Sequence, residues 1–309
     1  MKKIHLDTDI GGDPDDVCAL ALLLKWQDVQ ITGITTVTED NGRRAGYARY
    51  VLELAGREDI PVKAGADISG GYFSYAPDYP DESKHWPEPI TPCPNPAAEA
   101  IELLKQSVEQ DAIIIGIGQY TNVFLLDQKY PGILRDAKLF LMGGYVFSIR
   151  VGFPQWGNDF DYNIQLDTHS ARYVLENSTP TLIPMTVSVE TAIRRAYLPK
   201  LRQSGELGEL IATQSELLDE TEQNEENFGK TCGGLPADIL NFQHDPLACA
   251  IALGWNKGVT IEEIPLRFDI QDGLLCETVD ESGKPTSVVT AIDGEAFNEF
   301  WFCLLTAAR

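Results

Sequence analysis

The sequence predicts an α/β fold: a single doubly wound, mostly parallel sheet flanked by helices, with residues 1–309 forming one domain. Three observations carry this. Short apolar, β-branched runs alternate with longer helical runs from the first residues onward, the order that builds parallel strands joined by helices. The 309 residues, 43% of them hydrophobic, suffice to bury one large core. No internal repeat or linker-like tract divides the chain.

Taken in order, "KKIHLD" reads as a strand and "DDVCALALLLKW" as a helix. "VQITGITTV" is a second strand, and "NGRRAGYARYVLELAG" a helix ending at Gly56. "IPVKAGA" is a short strand and "NPAAEAIELLKQSVEQ" a helix. "AIIIGIG" and "KLFLMGG" are strands, the first strongly buried. "LDTHSARYVLEN" is a helix and "PTLIPMTV" a strand. The last stretch, "AIDGEAFNEFWFCLLTAA", reads as a helix packing back on the body. Two segments break the rhythm: residues 68–96, rich in Pro, Gly and aromatics, and residues 218–236, polar and glycine-bearing. Irregular segments of that length are lids or binding loops, or else mobile surface. A ligand is expected beyond the carboxyl ends of the parallel strands.

The formal net charge of -23 argues against nucleic acid or an anionic membrane surface as partner. No run reaches transmembrane length. Asp7 and Asp9 interrupt any apolar segment after Lys2 and Lys3, so no signal peptide is expected. The six cysteines are scattered without a CxxC pair, as reduced thiols in a cytoplasmic protein would be, and a zinc site built from them is not expected.

The opening "LDTDIGGDPDDVCALALLL" concentrates Asp7, Asp9, Asp13, Asp15 and Asp16 where a strand meets a helix. Helix capping accounts for Asp13, with Pro14 at the first helical position and acids facing the positive end of the dipole. It leaves Asp7 and Asp9 unexplained. Two carboxylates from the strand end and two from the helix start would converge, and clustered like charges call for a compensating cation. A hard divalent ion with oxygen ligands is the natural one. An EF-hand fails, because with Asp7 as first ligand the twelfth position is Cys18. A dinucleotide site fails for want of G-x-G-x-x-G. A haloacid dehalogenase-type phosphatase also opens on Asp-x-Asp, but no convincing phosphate-binding lysine follows.

Four segments in order, "LDTDIGGDPDDVCALALLL", "GIGQYTNVFLL", "LFLMGGYVF" with "DYNIQLDTHSA", and "HDPLACAIAL", resemble the inosine-uridine-preferring nucleoside hydrolase family. "GITTVTEDN" and "LELAGREDIPVKAGA" agree as well, so the resemblance spans nearly the whole chain. It implies a nucleoside hydrolase-like fold with a Rossmann-like core, a Ca2+ ion at the strand ends, a small riboside substrate and a homodimer or homotetramer.

Position by position, the resemblance implies that Asp9, Asp16, Asp245 and the backbone carbonyl of Thr121 ligate the ion. Asp15 would hold ribose hydroxyls with help from Asn163, and Asp7 would stand behind the ligands. Met142, Asp161, His244 and Asp245 fall on substrate-side motif positions. Asp9 is then the general base for a water that attacks the anomeric carbon, and His244 the candidate acid for the leaving base. Each piece has a structural alternative. His244 and Asp245 could cap the helix "PLACAIAL", Thr121 and Asn122 the helix after them, and Asn163 could close an Asx-turn. Trp156 and Phe160 could stack on a base or cover core; His85 and Trp86 lie within the irregular loop.

The chain departs from the family around sugar and base. The acidic turn is two residues longer, leaving Asp13 without an assigned role. Gln119 replaces a proline, Asp161 stands where Glu is usual, and either Asp40 or Asn41 could face the ribose. These departures motivate an alternative: a catalytically silent riboside- or calcium-binding protein of the same fold.

Overall fold

The computed structural model describes residues 1–67, 71–73 and 81–307. The strands are β1 (Lys2–Thr8), β2 (Val29–Thr36), β3 (Val62–Ala64), β4 (Ile113–Gly116), β5 (Lys138–Met142), β6 (Thr181–Ile183), β7 (Ile193–Arg194), β8 (Ile239–Asn241), β9 (Thr260–Gln271), β10 (Leu274–Val279) and β11 (Lys284–Ala291). Among the described residues, nine of them form one sheet in the order β10-β9-β11-β6-β5-β4-β1-β2-β3, and β7 pairs with β8 separately. From β3 through β6 to β11 every pair is parallel; β9 joins antiparallel to β11 and to β10. The doubly wound, mostly parallel sheet is as the sequence predicts.

Helices cover both faces, and central strand residues are buried on both: Ile4 and Leu6 on one face of β1, His5 and Asp7 on the other. Ile4 and Leu6 of β1 are fully buried, and so is Ile115 of β4. On one side Asp15–Lys25 packs against His244–Leu253 and Gly294–Thr306. Trp301 of the last helix is fully buried, and its indole donates to the Cys18 carbonyl at 3.4 Å, so the tail does pack back on the body. On the other side Ala97–Glu109, Thr121–Lys129 and Thr168–Asn177 cover a second core containing Leu104, Leu126 and Leu175.

Chain order reverses across the β1–β4 neighbours, since β2 and β3 lie on one side of β1 and β5 and β6 lie beyond β4. That is the switch point at which doubly wound sheets open a crevice. The acidic turn leaves β1 there, and residues 117–121 leave β4 beside it.

Two expectations need correction, and one stretch adds elements that the sequence analysis does not specify. "PTLIPMTV" is strand only over Thr181–Ile183; Pro184 then starts a turn of helix, Met185–Ser188, with Ser188 N–H bonded to the Pro184 carbonyl at 3.1 Å. The polar segment from 218 is helical to Glu222, since nothing in "LDETE" breaks a helix, and the helix stops where Gln223 turns left-handed at φ 53°. Residues 260–291, for which the sequence analysis specifies no element, form three strands. Within residues 68–96, positions 68–70 and 74–80 lie outside the described residues, and a lid there with them. The part from 81 docks on the acidic turn: Trp86 stacks on Tyr47 at 4.2 Å and donates to the Gly11 carbonyl at 3.2 Å. All six cysteines are free thiols. No helix among the described residues is long and apolar enough to cross a membrane.

Candidate metal centre and active site

Asp15 and Asp16 open the helix after β1, and Asp245 opens the helix after β8, which places all three at the switch point. Their carboxylates come within 4.8 Å of one another, and all are buried. Burial first, then the charges of neighbouring acids, push each carboxyl well above its usual range. The donor set is all hard oxygen, which fits a divalent cation of the Ca2+ type and not a softer metal. The nearby cation is already engaged: Arg44 donates to Glu82 and to the Thr38 carbonyl, both at 2.9 Å, and to the Asp9 carbonyl.

This trio contains two of the expected ligands. Asp16 and Asp245 are in it; Asp15 is the third member, and Asp9 stands outside. Asp9 follows the end of β1, half-buried, and its Oδ2 accepts from Gln119 Nε2 at 2.8 Å. Gly118 permits that approach, since a Cβ there would lie 2.8 Å from the Asp9 nitrogen. Asp9 still faces the same cleft, close enough that its charge raises both Asp16 and Asp245. Thr121 stands behind the cleft, its hydroxyl donating to Asp167 at 2.6 Å. Asp7 also lies behind, accepting from Thr35 at 2.5 Å and Asn122 at 2.8 Å, with its carboxyl raised to about 7 by burial.

A cleft of about 450 Å³ opens over the trio. Of the substrate-side candidates, Asp15, Met142, Trp156, Asp161, Asn163, His244 and Asp245 line it, as does Phe160. Asp40 and Asn41 do not. Asp40 turns out to pair with Arg43 at 2.7 Å, and Asn41 is exposed. Asn163 spends its amide N–H groups on the Ile117 and Met142 carbonyls at 3.1 and 3.3 Å, leaving its side-chain oxygen for the cleft, so it closes no Asx-turn. Asp161 caps the next helix through Ile164 N–H and also accepts from Gly144 N–H at 2.5 Å. Gly143 and Gly144, at φ 138° and 113°, provide the backbone turn that aims that N–H.

The long acidic turn gives Asp13 a role. Its Oδ1 accepts from Asp15 N–H at 3.0 Å, as a cap would, and from Asn241 Nδ2 at 2.6 Å, tying the first helix to the entry of the Asp245 helix. His244 and Asp245 do not cap; the residue before that helix is Gln243, without a side-chain cap bond. The His244 ring stacks on Phe242 at 5.5 Å, and its Nδ1 meets Ser188 Oγ at 2.7 Å. Burial lowers its pKa to about 4, so the ring is uncharged at neutral pH. Phe242, Trp156, Phe160 and Phe228 form a continuous aromatic wall with ring separations of 5.1 to 5.6 Å. Phe228 and Phe242 join the two predicted aromatics without any signal of their own in the sequence.

Behind Asp161 lies Glu277 of β10. Its Oε2 accepts from Tyr145 N–H at 3.3 Å, and Oε1 is buried without a partner among the described residues. Burial, with Asp161 adding to it, raises its carboxyl from 4.5 to about 8. A carboxyl raised on folding costs nothing below its unfolded value, and its penalty grows as pH climbs toward the folded one. Glu277→Gln should therefore match wild type in Tm near pH 4.5 and exceed it by about 4 °C or more at pH 9. Equal Tm values at pH 9, by scanning calorimetry, would contradict this.

The sequence profile described as inosine-uridine preferring nucleoside hydrolase matches residues 4–299. The pyrimidine-specific ribonucleoside hydrolase RihA of Salmonella arizonae is 27% identical over 305 residues, covering 94% of this chain and 88% of that one. An uncharacterized protein of Schizosaccharomyces pombe is 29% identical over 196 residues, 60% of this chain and 62% of that one. In fold, the chain is similar to a purine-preferring ribonucleoside hydrolase from Gardnerella vaginalis, with a TM-score of 0.80 at 20% identity over 99% and 98% of the two chains. It is also similar to a plant nucleoside hydrolase, with a TM-score of 0.76 at 19% identity over 99% of each.

Proposed function

Because the chain belongs to the inosine-uridine preferring nucleoside hydrolase family, we propose that it hydrolyses the N-glycosidic bond of a ribonucleoside or related riboside in a Ca2+-dependent reaction. The observation that carries the proposal is the buried trio Asp15, Asp16 and Asp245 with Asp9 beside it on one cleft.

Asp15, Asp16 and Asp245 would hold the ion together with the Thr121 carbonyl, and Asp15 would also hold ribose hydroxyls. A bound Ca2+ would orient water, lower its pKa and grip vicinal hydroxyls. Asp9, standing outside the trio, takes one proton from the attacking water as its oxygen bonds to the anomeric carbon. The carbon–nitrogen bond breaks and its electron pair leaves with the base. The surrounding carboxylates stabilise the oxocarbenium-like charge at the sugar. With its ring uncharged, His244 serves the leaving base as a hydrogen-bond donor, not as a store of protons. The base takes its proton from solvent, and Asp9 returns its own there. The side-chain oxygen of Asn163 and the Met142 side chain face the sugar, and Trp156 with its aromatic neighbours receives the base. A single domain over 1–309, a cytoplasmic location and a homodimer or homotetramer belong to the same proposal; the free thiols and the profile match over 4–299 support the first two.

A panel of purine, pyrimidine and other N-ribosides, assayed for reducing sugar, tests this. Ribose release from at least one member is expected. Tight binding of a riboside without release would favour the silent binding protein instead, a reading motivated by Asp161, whose carboxylate is taken up by backbone donors.

A further inference from the structure

We propose that Ser188 is a positioning residue for His244: its hydroxyl donates to Nδ1 and holds the ring in the tautomer with hydrogen on Nε2, so that a donor faces the leaving base. The inference rests on the ribohydrolase reading for its use, but not for its geometry.

Ser188 ends the short helix Met185–Ser188 and is fully buried, so no solvent competes for its hydroxyl. That hydroxyl has two neighbours. His244 Nδ1 lies at 2.7 Å, and the Met185 carbonyl lies at 3.5 Å, the outer edge of a hydrogen bond. The Met185 carbonyl already accepts from Val189 N–H at 3.0 Å. Were Nδ1 to donate, the serine proton would be left to the more distant Met185 carbonyl, which it would share with Val189 N–H. Nε2 would then present a lone pair to a base gaining negative charge. With serine donating, both conflicts vanish. The stack on Phe242 fixes the ring plane, and Nε2 has no other partner among the described residues. The hydrogen bond at one imidazole nitrogen sets the role of the other. Sequence offers no hint of the pairing, since the two residues are 56 positions apart.

Nitrogen-15 NMR reads the tautomer directly, and with four histidines in the chain a His244→Gln spectrum assigns the signal. Wild type should show hydrogen on Nε2, and Ser188→Ala a mixture of tautomers. Kinetics supply the second readout. Ser188→Ala should lower kcat on a cleaved nucleoside roughly 10-fold or more with KM nearly unchanged, the loss expected when a donor aimed at the leaving base is misdirected. Hydrolysis of p-nitrophenyl riboside, whose leaving group needs no donor, should change less than about two-fold. Ser188→Cys, a weak donor, should recover part of the loss. Equal losses on both substrates would reduce Ser188 to a structural residue and overturn the proposal, as would hydrogen on Nδ1 in wild type. If wild type cleaved neither substrate, the ribohydrolase reading would fall, while the nitrogen spectrum would still decide the tautomer.

Discussion

Asp9→Ala is expected to lower kcat by about 10³-fold or more, while the chain stays folded and still binds its ion; a positioned general base contributes about 10²- to 10⁴-fold. The side chain can be removed without disturbing its surroundings. Arg44 holds the Asp9 backbone carbonyl, which alanine retains, and the carboxylate's side-chain hydrogen-bond partner is Gln119, with the Arg44 charge nearby. Asp9 is also outside the trio within 4.8 Å, so the three carboxylates that could hold an ion remain without it. Reducing-sugar release gives kcat, and thermal unfolding with and without Ca2+ reports fold and ion. Near-normal turnover would remove Asp9 as the base.

Asp16→Asn separates two effects of opposite sign. In metal-stripped protein, Asp16 is a buried carboxyl among Asp9, Asp13, Asp15 and Asp245, its ionisation disfavoured by burial and then by the Asp9 charge. Replacing it with a neutral isostere keeps a partner for the Thr8 hydroxyl and relieves repulsion. Stripped Asp16→Asn should thus unfold at a higher temperature than stripped wild type at pH 8. Wild type should then gain about 5 °C or more from Ca2+ at a hundred times its Kd, a stabilisation of about 2.7 kcal/mol, and the variant little. Activity should fall below about 1% in the variant, on the scale set by losing a metal that activates water. An equal Ca2+ gain in both proteins would take Asp16 out of the ion site.

The parallel core was legible because its strands and helices are simple in period. "AIIIGIG" is a continuous apolar run, and "KKIHLD" and "VQITGITTV" carry spaced Ile, Leu and Val among β-formers, with helical runs between them. The hairpin of β9 and β10 was legible in principle: Asp272 and Gly273 both take positive φ, 52° and 90°, and "DG" between alternating residues is a hairpin turn signal. "PTLIPMTV" misled because β-branched residues suit a strand, while Pro184 starts a helical turn equally well. The acidic turn announced a cation site but not its partition. That Asp15 lies within 4.8 Å of Asp16 and Asp245 while Asp9 does not is a matter of how the turn folds, and spacing alone does not contain that. Arg44, Glu82, Ser188 and Glu277 were invisible for a common reason. Each acts through a contact distant in sequence, as Arg44 with Glu82 and Glu277 with Tyr145 show. An arginine in "NGRRAGYARY" looks like any solvated helix face until the loop from 81 closes over it.

The account turns on one claim, that these acids gather a single divalent ion whose presence makes ribose release possible. Its most direct test is sugar release by chelator-stripped protein as Ca2+ is returned in measured amounts. Release should be absent at the start and rise until one ion per chain has bound. Undiminished release from stripped protein, or full loading with no release from any riboside, would contradict the account.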